Sequence, residues 1–126
     1  MPLTRVSLRK GKSPAYKRAI LDHIYAAMRE AFNVPEDDRF MTIDEYGEED
    51  FVYGRNYLGI ARDDDLVIIQ ITVSNTRTVE QKKALYAAIA DRLSRDPGIR
   101  PENVFINLIE VAKENWSFGN GIAQYA

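Results

Sequence analysis

The sequence contains no cysteine and only one histidine, His23. Without cysteine there is no disulfide, no thiolate metal site and no Cys nucleophile. A single histidine excludes His-rich metal sites and argues against a Ser/His catalytic pair. His23 lies within a predicted helix beside its apolar stripe, which favours a structural role. Any catalytic group must therefore be of another residue type.

The chain also lacks a basic excess and a long apolar run. Its 17 Lys and Arg residues face 19 Asp and Glu residues, and this balance argues against nucleic acid as a partner. No apolar run approaches the roughly 18 residues of a membrane span, and the N-terminus has no apolar signal core. We therefore expect no membrane partner and a cytoplasmic location. A length of 126 residues, 45% of them hydrophobic, predicts a single domain over residues 1–126.

The first third of the chain predicts a strand, a helix and a second strand. The first strand begins almost at Pro2, and Ser13 followed by Pro14 is a typical helix start. Apolar residues at three- and four-residue spacing then predict a helix of about twenty residues. Alternation from Arg39 to Tyr46 predicts the second strand. Residues 47–65 show no regular pattern and predict an irregular segment, in which residues 51–53 are a candidate short edge strand.

The same order returns in the second half. The nearly unbroken apolar run 66–73 predicts a central strand, and Thr78 caps a second helix that extends to about Leu93. Pro97 and Gly98 stop this helix, and residues 104–111 form the last strand. A polar tail, 112–126, follows.

An offset of 65 residues superposes the two halves without a gap. The helix cap Ser13 falls on Thr78, and five residues fall on identical ones: Lys17, Ala19, Ile24, Phe40 and Glu45 on Lys82, Ala84, Ile89, Phe105 and Glu110. This agreement predicts a tandem βαβ duplication with pseudo-repeats 2–46 and 67–111.

The duplication predicts an α/β (α+β) fold in which one four-stranded sheet carries two helices. Both crossovers are right-handed, so both helices are expected on the same face of the sheet. No third helix remains to cover the other face, and the strand 66–73 is too apolar on both sides to face water. We therefore expect a homo-oligomer.

Three segments resemble the tautomerase superfamily, in its malonate semialdehyde decarboxylase-like branch. Residues 32–40 resemble the segment that carries an active-site Asp directly before Arg. Residues 74–82 resemble the segment that supplies substrate-binding arginines, and 116–119 match a C-terminal stretch that lines the pocket. The resemblance covers essentially the whole chain. It implies the tautomerase (MIF-like) fold, a homotrimer, and catalysis by an N-terminal proline once the initiator Met is removed.

Carried over by position, the resemblance assigns catalytic roles to three residues. Pro2 takes the place of the catalytic proline, Asp38 that of the neighbouring Asp, and Arg77 that of a carboxylate-binding Arg. Candidate substrate-binding residues are Arg77, Asn75, Trp116 and Phe118. The branch has its first arginine where this chain has Asn75, so a single guanidinium remains to hold a carboxylate.

The chemistry of such a site follows from its groups. An α-amino group has a reference pKa near 7.7–8.0, far below that of lysine. Burial of the Pro2 amine favours a neutral base, whereas a nearby Asp38 carboxylate favours the cation. A base abstracts a proton beside a carbonyl, and a cation polarises a carbonyl or donates a proton. This chemistry requires neither metal nor organic cofactor, and it requires that Met1 be absent.

The expected function is therefore that of an enzyme acting on a small oxo acid. The two candidate reactions are decarboxylation or hydration of a malonate semialdehyde-like acid and keto-enol tautomerisation. A non-catalytic oligomeric scaffold or ligand-binding protein that retains the fold is the alternative. Trp116 suits either a pocket wall or a subunit interface, and the residues do not select which Tyr or Arg of segment 46–62 reaches the pocket.

Overall fold

The computed structural model describes residues 2–126, so the predicted removal of Met1 lies outside the described part of the chain. Four strands and two helices follow the predicted order. They are β1 (Leu3–Arg9), α1 (Pro14–Phe32), β2 (Phe40–Tyr46), β3 (Val67–Ser74), α2 (Val79–Arg95) and β4 (Val104–Val111).

Both helices begin where the sequence predicts. The Ser13 hydroxyl accepts a hydrogen bond from the Tyr16 amide, with Pro14 in the first turn. At the second helix the Thr78 hydroxyl accepts from the Gln81 amide, and the Gln81 side chain accepts from the Thr78 amide. Each cap satisfies amides that the first helical turn leaves without a partner.

The sheet has the strand order β2-β1-β3-β4 and repeats its own register. β1 pairs parallel with β2 and β3 parallel with β4, and the two inner strands run antiparallel. Leu3 lies opposite Phe40, and Ile68 opposite Phe105, which is the same pair shifted by 65 positions. The tandem βαβ duplication is thereby confirmed in three dimensions.

Two of the identities found in the sequence form the same contact in each half. Lys17 of α1 pairs with Glu45 of β2. Lys82 of α2 pairs with Glu110 of β4 at 2.9 Å. Each pair joins a helix to the outer strand of its own repeat, so the duplication has preserved a contact as well as a pattern.

The core lies between the sheet and both helices, which share one face as predicted. The inward side chains of the two central strands alternate with outward ones. The fully buried members include Val6, Ile69 and Ile71 of the sheet, and they pack with buried residues of both helices, namely Ile20, Ile24, Ala27, Leu85, Ile89 and Leu93. Each large buried side chain contributes roughly 1.5–3 kcal/mol to folding.

The opposite face of the sheet is open in the single chain. Leu3, Phe40, Phe105 and Ile109 lie on this face and are each between 42% and 53% exposed. The prediction that β3 is too apolar on both sides is wrong in one respect, because its open face carries the exposed Gln70. The exposed apolar surface comes instead mainly from β1 and the two outer strands.

The segment between the repeats contains no strand, so the candidate edge strand at residues 51–53 is not formed. One short 3-10 turn, Glu48–Asp50, precedes it. Phe51 is buried between the rings of Tyr46 and Tyr53, which explains the apolar residues there by ring packing. Within residues 2–126, no helix has the length and apolar character needed to cross a membrane.

Candidate active site

Pro2 is buried directly before β1, at one edge of an apolar cavity of about 200 Å³. We call this the aromatic cavity. Its walls come from both ends of the chain and from the outer strand β2: Pro2, Leu3, Phe40, Trp116, Ser117 and Phe118. The rings of Trp116 and Phe118 stack with their centroids 5.4 Å apart. The three residues predicted from the two chain ends, Pro2, Trp116 and Phe118, therefore line one cavity.

Asp38 and Arg77 line a second cavity, of about 300 Å³, which we call the polar cavity. Asp38 belongs to the turn before β2, and Arg77 follows the end of β3. The remaining lining residues are Pro35, Ser74, Thr76, Lys113 and Tyr125. The cavity lies at the carboxyl ends of β3 and β4, where ligands of α/β proteins commonly bind.

The two cavities share a wall. The indole nitrogen of Trp116, in the aromatic cavity, donates a hydrogen bond of 3.1 Å to Ser74 Oγ in the polar cavity. The ring of Phe118 meets that of Tyr125 edge-on, with centroids 5.1 Å apart. Each contact joins a residue of one cavity to a residue of the other, so the predicted catalytic residues line two adjacent cavities.

The Asp38 carboxyl lies in an unusual environment for an acid. Its residue is only 8% exposed, and Oδ1 has no hydrogen-bond partner among the described residues. Burial raises the pKa of Asp38 above its usual range, and the positive charge of Arg77 opposes the rise. A buried carboxyl with a raised pKa beside a cavity is typical of a functional site.

Arg77 is held in place by its own neighbours. One guanidinium nitrogen donates to the Phe32 carbonyl at 3.0 Å and another donates to Thr76 Oγ1 at 3.0 Å. The guanidinium also lies 4.9 Å from the centre of the Phe32 ring. Guanidinium offers five N–H donors, so others remain for a carboxylate in the cavity.

Lys113 is a cation of the polar cavity that the sequence reasoning missed. It is exposed, and it forms no ion pair within residues 2–126. A signal existed, since Lys113 comes two residues after β4, and the ends of the parallel strands β3 and β4 lie at the same edge of the sheet. Asn75, in contrast, is exposed and is not among the residues that line either cavity.

The other residues considered from the sequence lie elsewhere. His23 contacts Asp96 at 3.0 Å and lines neither cavity, which fits the structural role. Tyr53, Tyr57 and Arg62 of segment 46–62 line a third cavity. Within residues 2–126, no group of three or more His, Cys, Asp or Glu side chains is placed to hold a metal ion.

Known proteins resemble this chain over nearly its whole length. Two family models, both described as tautomerase enzyme, match residues 38–119 and 2–61. The probable tautomerase YusQ of Bacillus subtilis (strain 168) is 44% identical over 98% of each chain. Crystal structures of a malonate semialdehyde decarboxylase superpose with a TM-score of 0.91 at 33% identity, covering 98% of this chain and 95% of that one.

The chain therefore belongs to the tautomerase superfamily, in the malonate semialdehyde decarboxylase-like branch. A fused 4-OT, described as a symmetric trimer, has the same fold, with a TM-score of 0.79 at 25% identity, and covers 95% of this chain and 94% of that one.

Proposed function

We propose that the protein is a cofactor-independent enzyme that acts on a small oxo acid through the nitrogen of Pro2, after removal of Met1. The proposal rests on the wall that the aromatic cavity and the polar cavity share. The buried Pro2 lies at one cavity, Asp38 and Arg77 line the next, and the Trp116–Ser74 hydrogen bond joins the two. A substrate that spans both cavities reaches all three groups.

The charges indicate how the substrate binds. Arg77 and Lys113 are the cations of the polar cavity, and both can hold a carboxylate there. The carbon part of the substrate then enters the aromatic cavity beside Leu3 and Phe40. This orientation brings the carbons next to the carboxylate towards Pro2, where proton transfer has to occur.

Two reactions use this geometry. A neutral Pro2 amine removes a proton from the carbon beside the carbonyl and returns one elsewhere, which interconverts keto and enol forms. A protonated Pro2 donates a hydrogen bond to the carbonyl oxygen and stabilises the charge that builds up as CO₂ leaves or water adds. In either reaction, Arg77 binds the carboxylate and Asp38 orients or activates the amine.

The similarity to malonate semialdehyde decarboxylase favours the second reaction, on a malonate semialdehyde-like acid. The replacement of the branch's first arginine by Asn75 weakens that specific match. Lys113, a second cation among the residues that line the polar cavity, can hold the carboxylate of either a malonate semialdehyde-like acid or enol-phenylpyruvate. Both substrates therefore belong in the first assay.

We also propose that the protein assembles as a homotrimer. Ile109 of the open sheet face is exposed and lines neither the aromatic nor the polar cavity, so it requires other cover, and a related fold is described as a symmetric trimer.

The test compares wild type, Pro2→Ala, Arg77→Ala and the control Lys83→Ala on malonate semialdehyde and enol-phenylpyruvate. Lys83 is an exposed residue of α2 that lines neither cavity. We expect Pro2→Ala to lose about 10²- to 10⁴-fold in kcat, the usual contribution of acid–base catalysis. Lys83→Ala should match wild type. Equal turnover in all four proteins would remove the proposed site, and no turnover in any of them would favour the non-catalytic scaffold.

A further inference from the structure

The third cavity, of about 350 Å³, lies on the open side of the sheet beside β3 and β4. We call it the twin cavity. The lining residues that matter here are Val52, Tyr53, Tyr57, Arg62, Ile68 and Phe105. Nothing in the proposed reaction uses any of them.

The twin cavity is the internal counterpart of the aromatic cavity. The offset of 65 that relates the repeats also relates the linings of the two cavities. Four of the six residues of the aromatic cavity have their counterpart in the twin cavity: Leu3, Phe40, Ser117 and Phe118 correspond to Ile68, Phe105, Val52 and Tyr53. The duplication therefore extends beyond β4 into the tail.

The backbone around the two cavities repeats as well. The 3-10 turn Glu48–Asp50 before the twin cavity corresponds to Lys113–Asn115 before the aromatic one. The Lys10 amide donates to the Tyr46 carbonyl at 2.9 Å, and the corresponding Asn75 amide donates to the Val111 carbonyl at 3.0 Å. The two cavities therefore resemble each other in their backbone structure as well as in their lining residues.

The catalytic groups are not repeated. The counterpart of Pro2 is Val67, whose nitrogen is an amide within β3 and neither an acid nor a base. The counterpart of Asp38 is Asn103, and its side chain is already bound. It donates to Asp63 Oδ1 at 2.8 Å and accepts from the Asp63 amide at 3.0 Å. The twin cavity therefore lacks counterparts of the proposed catalytic groups, so it could bind a ligand but not catalyse the reaction.

The position that corresponds to Arg77 is closed by the chain itself. That position holds Lys12, whose ammonium pairs with Asp65 at 2.5 Å. The carboxylate of Asp65 is thus already paired with Lys12, the cation that corresponds to the substrate-binding Arg77. Any acidic ligand of the twin cavity has to use another cation.

Arg62 is that cation. It is partly buried at the cavity, and one guanidinium nitrogen donates to the carbonyls of Tyr57 and Ile60 at 2.9 and 3.2 Å. It forms no ion pair in the described part of the chain, so no acidic side chain there neutralises its charge. A fixed cation beside the apolar side chains of Ile68 and Phe105 complements a ring that carries one negative group.

We propose that the twin cavity is a second, non-catalytic site that binds an aromatic carboxylate, with the ring against Ile68 and Phe105 and the carboxylate on Arg62. This inference stands on the repeat and on Arg62, so it does not depend on the proposed function of Pro2.

The test is a calorimetric titration of the assembled protein with phenylacetate, an aromatic acid without the oxo group of the proposed substrates. We expect wild type to bind two molecules per chain, one in each cavity. Val52→Trp fills the twin cavity from a position that is 88% exposed, so the fold should tolerate it. Its matched control, Ser117→Trp, fills the aromatic cavity at the corresponding position. Each variant should bind one molecule, at different residual sites.

Arg62→Gln identifies the carboxylate contact. It should weaken the second binding event by about tenfold or more and leave the first unchanged, and Arg62→Lys should restore part of the affinity. Arg55→Gln is the control, because Arg55 is a neighbouring cation already paired with Asp64. The proposal is overturned if wild type binds no phenylacetate, if Val52→Trp binds as many molecules as wild type, or if a neighbouring subunit occupies the twin cavity in the assembled protein. A single wild-type event that Val52→Trp abolishes and Ser117→Trp keeps would support this proposal and would count against binding in the aromatic cavity.

Discussion

Trp116 donates its indole N–H to Ser74 Oγ at 3.1 Å, which fastens the tail to the end of β3. Ser74 is 3% exposed, so this hydrogen bond is shielded from water. The bond sets the orientation of the Trp116 ring, which lines the aromatic cavity next to the polar cavity. The tail is thus a positioned part of the site, and Trp116 forms a pocket wall in the single chain.

Removing this hydrogen bond should loosen the wall. Trp116→Phe keeps a ring and loses the N–H donor, so we expect the free energy of unfolding to fall by about 1–2 kcal/mol. Ser74→Ala removes the acceptor and should cost a similar amount. The double variant should cost clearly less than the sum of the two, as denaturant unfolding of all four proteins would measure. Additive effects would mean that the bond contributes nothing.

Asp38→Asn should make the protein more stable at neutral pH. Because burial raises the pKa of Asp38, the folded state holds the proton more tightly than the unfolded chain does. Stability therefore falls as the pH rises from the unfolded value of about 3.9 through the folded pKa, and it stays reduced above that. Asparagine has no charge to bury. Thermal unfolding from pH 3 to 8 should show an advantage for the variant that disappears at the acid end.

Arg77 and Lys113 should contribute unequally to substrate binding. Arg77→Ala removes charge-assisted hydrogen bonds from a fixed guanidinium, so kcat/KM should fall about 10- to 100-fold. Lys113→Gln removes an exposed cation, so we expect about a two- to fivefold fall, mostly through KM. Steady-state kinetics with Lys83→Gln as the control would check both. An unchanged KM in Lys113→Gln would exclude this lysine from the site.

Ile109 tests the proposed assembly. It lies on the open sheet face and is 42% exposed in the single chain. If other copies cover this face, Ile109→Lys buries a charge and should shift the protein to smaller species in light scattering after size-exclusion chromatography. Tyr86→Lys, at a similarly exposed position on α2, should leave the assembly unchanged. Identical masses for all three proteins would place the interface elsewhere.

Most of the fold could be predicted because its signals are local. The caps at Ser13 and Thr78 and the apolar spacing of both helices define elements within a few residues of each other. The offset of 65 then predicted two copies of one βαβ unit, and the register that each half repeats confirms this. The strand order and the antiparallel pairing of the two inner strands were not predicted from the sequence. Residues 51–53 were misread because Phe51 is buried by ring packing, which has no distinct period along the chain.

The site was less predictable, since its residues meet only through the fold. The resemblance to the tautomerase superfamily indicated Pro2, Asp38 and Arg77. In contrast, Ser74 and Lys113 can be recognised as lining residues only once the pairing of β3 with β4 is known. The environment of Asp38 also depends on burial by distant segments. Side-chain charge can be read from a sequence, whereas which charges lack a partner requires the folded chain.

The central claim, that the Pro2 nitrogen is a free catalytic amine, is tested most directly by a ¹⁵N NMR titration of that nitrogen in protein made in its own host. We predict a single titration whose pKa coincides with one limb of the pH dependence of kcat/KM. An amide resonance that does not titrate, or a pKa that matches neither limb, would contradict the account.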